Sequence, residues 1–450
     1  MSQDIRVKKG LNIKLKGQAA MTTAAVSRSD FYAIKPTDFH GITPKLTVKA
    51  GDEVVVGDVV FFSKGNDRIK FTSPVSGTVK EIKRGAKRKV LAVIVESKPE
   101  DQFKDFGAAN PLSLEKEAVL EKILESGSFA YVKQRPYDII ANPKDSPKAI
   151  FVSSFDTAPL GPNYAFALKG KEEAFQAGIN ALSKLTEGAV NLSVDANEAS
   201  FFSKIENANI LNVSGKHPAG NVGTQIAAVN PVNQGERVWT VSAQGVATIG
   251  ELFLTGKYNP IKLVALAGSQ VKNPQYYALS AGQNIKSLIE ENVNVKGSRI
   301  ISGNVLTGTK IQLDDFLGFY DNVITVIPEG DKHRFFGWLP FVGSGTIHSF
   351  SKTSFAWLNS GKEYDLNTSL NGEERALVVT GEMEKVVPLD IYPLQLLKAC
   401  IANDIEKMEN LGIYEVAPED FALVDYINTS KIEAQEIIRE GLDLMIKEVG

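Results

Sequence analysis

Between residues 31 and 98 the chain alternates apolar and polar residues in short runs broken by glycine and proline. KLTVKAGDEVVVGDVVFF sets a β-branched run between two Gly-Asp turns, and IKFTSPVSGTVKEIK puts Ile69, Phe71, Val75 and Val79 on one parity. A period of two with closely spaced turns predicts a small all-β unit. The period then changes. In PLSLEKEAVLEKILESG the residues Val119, Leu120, Ile123 and Leu124 form a helical stripe that Gly127 ends. From about Tyr137, strands such as KAIFVSS, AVNLSV, ANILNVSG and RVWTVSA alternate with helices. KEEAFQAGINALSKLTEG carries Phe175, Ile179, Leu182 and Leu185 inward, and QGVATIGELFLTG closes the unit. That alternation predicts a doubly wound α/β domain. IKLVALAGS and SRIISGN read as strands around one short helix, AGQNIKSLIEEN. After an aromatic, Gly-rich stretch the end is helical, with Leu394, Leu397, Ile401, Ile405, Met408 and Leu411 on one stripe. SKIE at Ser430 to Glu433 reads as the capping box of the last helix.

The expected fold class is therefore a multidomain α/β protein. Expected divisions are 1–98, an N-terminal strand and barrel; 99–136, a helical linker; 137–257, a Rossmann-like α/β domain; and 258–320, a β-rich unit on one helix. They continue with 321–380, β or irregular, and 381–450, a helical domain.

Composition narrows function. A net charge of -3 over 450 residues gives no polyelectrolyte character, which argues against nucleic acid as the main partner while leaving room for a local basic patch. No apolar run approaches the ~18 residues of a membrane span, and MSQDIRVKKG has no apolar leader core. Cys400 is the single cysteine, so this chain supplies neither a disulfide nor the roughly four thiolates of a conventional iron–sulfur cluster. His40, His217, His333 and His348 are the four histidines, and no two stand at ligand spacing.

Four segments invite a chemical reading. FTSPVSGTVKEI resembles a strand pair of a biotinyl- or lipoyl-carrier domain, whose function needs a lysine at a hairpin tip. Counting from Gly57 places Asp67 at that tip, with Lys64 and Lys70 to either side. HPAGNVGTQ holds Gly220 and Gly223 but is expected to lie outside a strand–turn–helix phosphate loop, its glycines serving turns. His217 there is a candidate proton donor in an otherwise structural loop. The aromatic-basic run Lys332 to Leu358 reads as a small core or a docking surface. SFAYVKQRPYD, Ser128 to Asp138, mixes aromatic and basic residues that suit a flat carbonyl-bearing ring, or a packed linker.

Taken together, IKLKGQA, AIKPTDFHGITPKLTVKAGDEVVVGDVVFF, FTSPVSGTVKEIKRGAKRKVLAVIVE, HPAGNVGT, VATIGELFLTG and FFGWL resemble the A-subunit family of sodium-translocating NADH:quinone reductases. The family is in turn similar to the C subunit of the Rnf complex and the NADH-binding subunit of complex I. The resemblance implies a lipoyl-like barrel-sandwich domain, a Rossmann-like domain, a β-grasp (SLBB-like) domain at 258–320 and a cluster-less helical remnant of a ferredoxin-like domain. It implies a peripheral subunit on the cytoplasmic face of the bacterial inner membrane. There the chain would sit in a six-subunit complex, above all against the membrane B subunit. The complex would use NADH, flavins, iron–sulfur clusters and ubiquinone or another quinone on or through other subunits, with no redox cofactor on this chain. Phe39, His40, Tyr131 and Arg135 are the expected quinone-proximal residues: aromatic faces to stack, Arg135 or His40 to donate to carbonyls. The family usually reads GTHIH where this chain has GTQIA, so Gln225 and Ala227 replace two histidines. A lipoyl- or biotin-carrying component of an acyltransfer complex is the alternative.

Overall fold

The computed structural model describes residues 3–198, 200–330, 335–337, 339, 347–351, 356–358 and 361–450. Its largest sheet has seven strands in the order Gln3–Val7, Asn209–Gly215, Val190–Asp195, Ile150–Ser153, Val238–Ser242, Val132–Arg135 and Ile139–Ile140. The first five run parallel, and Val132–Arg135 and Ile139–Ile140 add an antiparallel edge. Ile150, Phe151, Val152, Leu192, Val238 and Trp239 are buried, the near-continuous apolar signature of strands covered on both faces. Helices Glu172–Ser183 and Ala243–Thr255 pack tightly on each other. Their approach depends on two glycines: a Cβ on Gly250 would lie 1.7 Å from the Ala174 carbonyl oxygen, and one on Gly178 2.0 Å from that of Val246.

The six-stranded sheet has the order Thr309–Ile311, Ser298–Ser302, Val323–Pro328, Ile261–Ala267, Gln275–Ser280 and Thr23–Ala24, with helix Lys286–Asn292 packed on it through Leu288 and Ile289. Val323–Pro328, past the expected end of this unit at 320, is central to the sheet. The barrel is built from a four-stranded and a three-stranded sheet, and Ile69, Phe71, Val75 and Val79 all point into it as their parity requires.

Four sequence readings change here. The N-terminal strand does not belong to the barrel. Gln3–Val7 pairs with Asn209–Gly215, and Thr23–Ala24 joins the six-stranded sheet. Between them the chain stitches the units together: Gly10 N–H donates to Lys385 O (2.9 Å), Leu11 N–H to His217 O (2.9 Å) and Gly268 N–H to Gly17 O (2.8 Å). The carrier-like hairpin turns at Lys64 and Gly65, with Ser63 opposite Asn66, so a lysine and not Asp67 is at the tip. A register shift between Phe62 and Ser63 defeats simple counting.

The C-terminal stripe is also broken. Helix Pro393–Ile401 stops, Asp404 caps Ile405–Asn410 through Lys407 N–H (3.1 Å), and Ile401 is exposed while Leu394, Leu397 and Met408 are buried. The last helix, Ala434–Glu448, is capped by Asp425, which accepts from Ala434 N–H at 2.5 Å. Ser430 instead donates to Ala376 O (3.0 Å). Of the aromatic-basic run, Lys332, Arg334, Trp338, Phe341, Lys352 and Phe355 lie outside the described residues. Phe335, Phe336 and Trp357 are exposed, and Phe350 packs on the C-terminal core.

Candidate functional site: an aromatic cleft at the junction of three units

The barrel, the linker and the six-stranded sheet meet at Phe39. Its ring lies 4.3 Å from Phe71, 4.9 Å from Phe319 and 5.8 Å from Tyr320 between centroids. Phe319 also packs on Tyr131 at 4.6 Å. Phe39 follows the turn Pro36–Asp38, which fixes its entry into the core, while Tyr131 ends the turn Ser128–Tyr131 set by Gly127, whose φ is +78°. These contacts are tilted or edge-on, the geometries aromatic quadrupoles favour. Burial pushes the Tyr131 phenol up to about 12, against hydrogen bonds with Tyr258 and Thr248.

Charges surround this cluster. Lys35 Nζ is 3.3 Å from Asp38 Oδ1, and Asp38 Oδ2 accepts from Phe319 N–H at 2.9 Å. Desolvation raises the Asp38 carboxyl above its ordinary range, opposed by Lys35. Lys262, buried on the central strand Ile261–Ala267, donates to Phe319 O at 2.8 Å; desolvation lowers its ammonium to about 8. Two charged side chains thus hold one turn by its N–H and its C=O. The cavity between Phe39, Phe71, Tyr258 and Phe319 is about 20 Å³, room for one water. Asp38 and Lys262 were not singled out from the sequence. The only local signal was the Pro-Thr-Asp turn before Phe39.

The four expected site residues divide. Phe39 and Tyr131 share the cluster through Phe319. His40 faces away and bonds Asp443 Oδ1 through Nε2 at 2.7 Å. Arg135, 2% exposed, reaches Asp420 Oδ2 at 2.8 Å and Glu419 Oε1 at 2.7 Å. Burial alone would lower its guanidinium, but Asp420, Glu419 and Asp138 raise it, so it stays charged. Asp420 is fully buried and also accepts from Ala417 N–H at 2.9 Å. Arg135 therefore ties strand Val132–Arg135, next to the edge of the large sheet, to the C-terminal domain.

The glycine segment after Asn209–Gly215 is not a plain loop. It leads into helix Val222–Val229, the strand–turn–helix order that the sequence reading denied it. A phosphate placed at that helix start would still meet a carboxylate. A Cβ on Gly223 would lie 2.5 Å from Asp420 Oδ1, and one on Gly220 2.8 Å from Thr157 N. The glycines admit close packing of Asp420 and of the Thr157 turn. His217 is buried, and desolvation lowers its imidazole to about 4. Thr157 Oγ1 accepts from Gly220 N–H (2.9 Å) and shares a hydrogen bond with His217 Nδ1 (3.1 Å), whose direction is set by the ring's tautomer. Burial favours the neutral ring, and its hydrogen bond to Thr157 gives it a structural place in the turn.

Comparison with known proteins decides the family. Residues 5–98 match the NqrA N-terminal barrel-sandwich hybrid domain, 114–258 the NqrA second alpha/beta domain and 263–312 the NQRA C-terminal domain. The A subunit of the Na(+)-translocating NADH-quinone reductase of Marinomonas sp. (strain MWYL1) is 33% identical over 449 residues, covering 98% of this chain and 99% of that one.

The chain belongs to the A-subunit family of Na(+)-translocating NADH-quinone reductases.

The A subunit of Saccharophagus degradans is 34% identical, covering 99% of this chain and all of its own length. A crystal structure of an NAD+-reducing [NiFe]-hydrogenase aligns over 75% of this chain and 62% of its own at 12% identity; its TM-score of 0.39 carries no argument. As an A subunit this chain is a component of a translocase, and no helix among its described residues is long and apolar enough to cross a membrane.

Proposed function

We propose that this chain is the peripheral, cytoplasm-facing subunit of a sodium-pumping NADH:quinone oxidoreductase, that its role is architectural, and that the Phe39 cleft borders the quinone. The full-length likeness to the A subunits carries the assignment. A single, buried cysteine supports the absence of a resident iron–sulfur cluster, since such clusters need several thiolates. NADH and the flavins are then bound by other subunits, and the main neighbour is the membrane B subunit.

Quinone proximity is supported by the aromatic faces of Phe39, Phe319 and Tyr131 beside one lysine–carboxylate pair, Lys35 and Asp38. A ring larger than the present cavity enters by displacing the Phe319 turn, whose Phe319 N–H and C=O are held by Asp38 and Lys262 and whose neighbours Gly318 and Tyr320 bond Ser302 Oγ (2.9 Å) and Ala130 O (2.7 Å). Lys35 is the better placed carbonyl donor, because its Nζ lies at the cluster, 3.3 Å from both Asp38 Oδ1 and Phe316 O, whereas Arg135 and His40 bond carboxylates of the C-terminal domain.

The test is Phe39→Leu in cells lacking their own copy of the chain. Membranes without the chain are expected to lose sodium-stimulated quinone reduction, and wild type to restore it. Phe39→Leu is expected to raise KM for a short-chain quinone about tenfold, from the lost aromatic stacking, with NADH oxidation by an artificial acceptor unchanged. An unchanged quinone KM removes the cleft from the quinone path.

A further inference from the structure

Residues 373–382, EERALVVTGE, form a surface ribbon on the C-terminal domain that is neither helix nor strand. It is anchored at one end: Arg375 N–H donates to Ser430 O (2.8 Å) and Ser430 Oγ to Ala376 O (3.0 Å). Beyond that point Val378 and Val379 are 54% and 70% exposed, and Leu377 is half-buried. Among the described residues, Leu377, Val378 and Val379 make no backbone hydrogen bond. Gly381, with φ +69°, ends the ribbon.

Ala-Leu-Val-Val-Thr has strong strand propensity. Its free backbone edge and uncovered valines are the features that natural proteins suppress at true edges. The usual protective charges are absent within the run and sit at its ends. Glu373, Glu374 and Glu382 flank it, and Glu433 and Glu436 stand exposed beside Glu374. None of these five carboxylates has an ion-pair partner among the described residues. Glu436 raises the Glu433 carboxyl by sharing a hydrogen bond with it, and Glu374 adds to the repulsion.

We propose that this ribbon accepts, by strand addition, an extended segment of another subunit of the complex, apolar in its middle and basic at its ends. Strand addition satisfies the open N–H and C=O groups and covers Val378 and Val379. Basic flanks neutralise the acidic rim. The same rim argues against an anionic lipid surface, which repels it. It also argues against a second copy of this chain, because antiparallel self-pairing about Val378 brings Glu374 of one copy to Glu382 of the other. The proposal rests on the chain being a subunit of the reductase.

Cys400 makes a clean test possible. It is buried, and burial pushes its thiol up to about 12, so an added surface cysteine is the one reactive thiol of this chain. Val379→Cys is introduced and labelled with a water-soluble maleimide in the isolated chain and in the assembled complex. Labelling is expected to slow at least about tenfold on assembly, and a short bismaleimide is expected to cross-link the chain to a different subunit. Glu433→Lys with Glu436→Lys, both exposed, is expected to release the chain from its partners at lower salt. Equal labelling in both states, a cross-link to a second copy, or slowing by anionic vesicles alone overturns the proposal. Co-purification with full labelling overturns this surface only. Failure to co-purify with any membrane subunit overturns the subunit reading as well.

Discussion

Arg135→Met is expected to destabilise the protein by about 3–5 kcal/mol. The reason is what remains after the change. Asp420 is fully buried, and its Oδ2 loses the guanidinium that now lies at 2.8 Å. Its Oδ1 already has no hydrogen-bond partner. Burying an unpaired carboxylate costs far more than the pair contributes, so most of the loss is expected to return in Arg135→Met with Asp420→Asn, which keeps the acceptor for Ala417 N–H. Arg135→Lys is expected to rescue poorly, because one ammonium cannot span Asp420 and Glu419 as the planar fork does. Urea unfolding followed through Trp239, buried and paired opposite Gln134 beside Arg135, reads this junction locally. An unchanged midpoint in Arg135→Met would show that the ion pair does not hold the two units together.

Gly250→Val is expected to cost about 3 kcal/mol or more, at or above the upper end of ordinary overpacking. Even one methyl there falls 1.7 Å from the Ala174 carbonyl oxygen. Relief requires helices Glu172–Ser183 and Ala243–Thr255 to move apart, exposing Phe175, Ile179, Val246 and Phe253. Helix propensity alone would favour the opposite outcome, since glycine is a poor helix former. Thermal melting decides between them, and a variant as stable as the parent would mean the helices are not in close contact.

Much of the architecture was legible because periodicity reports burial directly. The parity of Ile69 to Val79 and the stripes on Lys116–Glu125 and Glu172–Ser183 appear in the fold as read. Long-range pairing was not legible. Nothing local in Gln3–Val7 says that it lies beside Asn209–Gly215, and nothing in Val323–Pro328 marks it as a central strand rather than the start of an irregular region. Tight features failed by small margins. A register shift moved Lys64 to the hairpin tip, and a cap nine residues upstream, Asp425, replaced the expected Ser430. The candidate site was half legible. Phe39 and Tyr131 are brought together by Phe319, but composition cannot tell a basic residue free to meet a ligand from one already paired. Arg135 and Glu419–Asp420 are 284 and 285 positions apart in the chain.

The lysine at the hairpin tip sharpens the central claim, that this chain is a subunit of the reductase and not a carrier. Mass spectrometry of material purified from native membranes through a tag on this chain tests it most directly. The account predicts that flavin-bearing membrane subunits co-purify and that this chain has its unmodified mass. A chain isolated without them, or one heavier by a lipoyl or biotinyl group on Lys64, would contradict it.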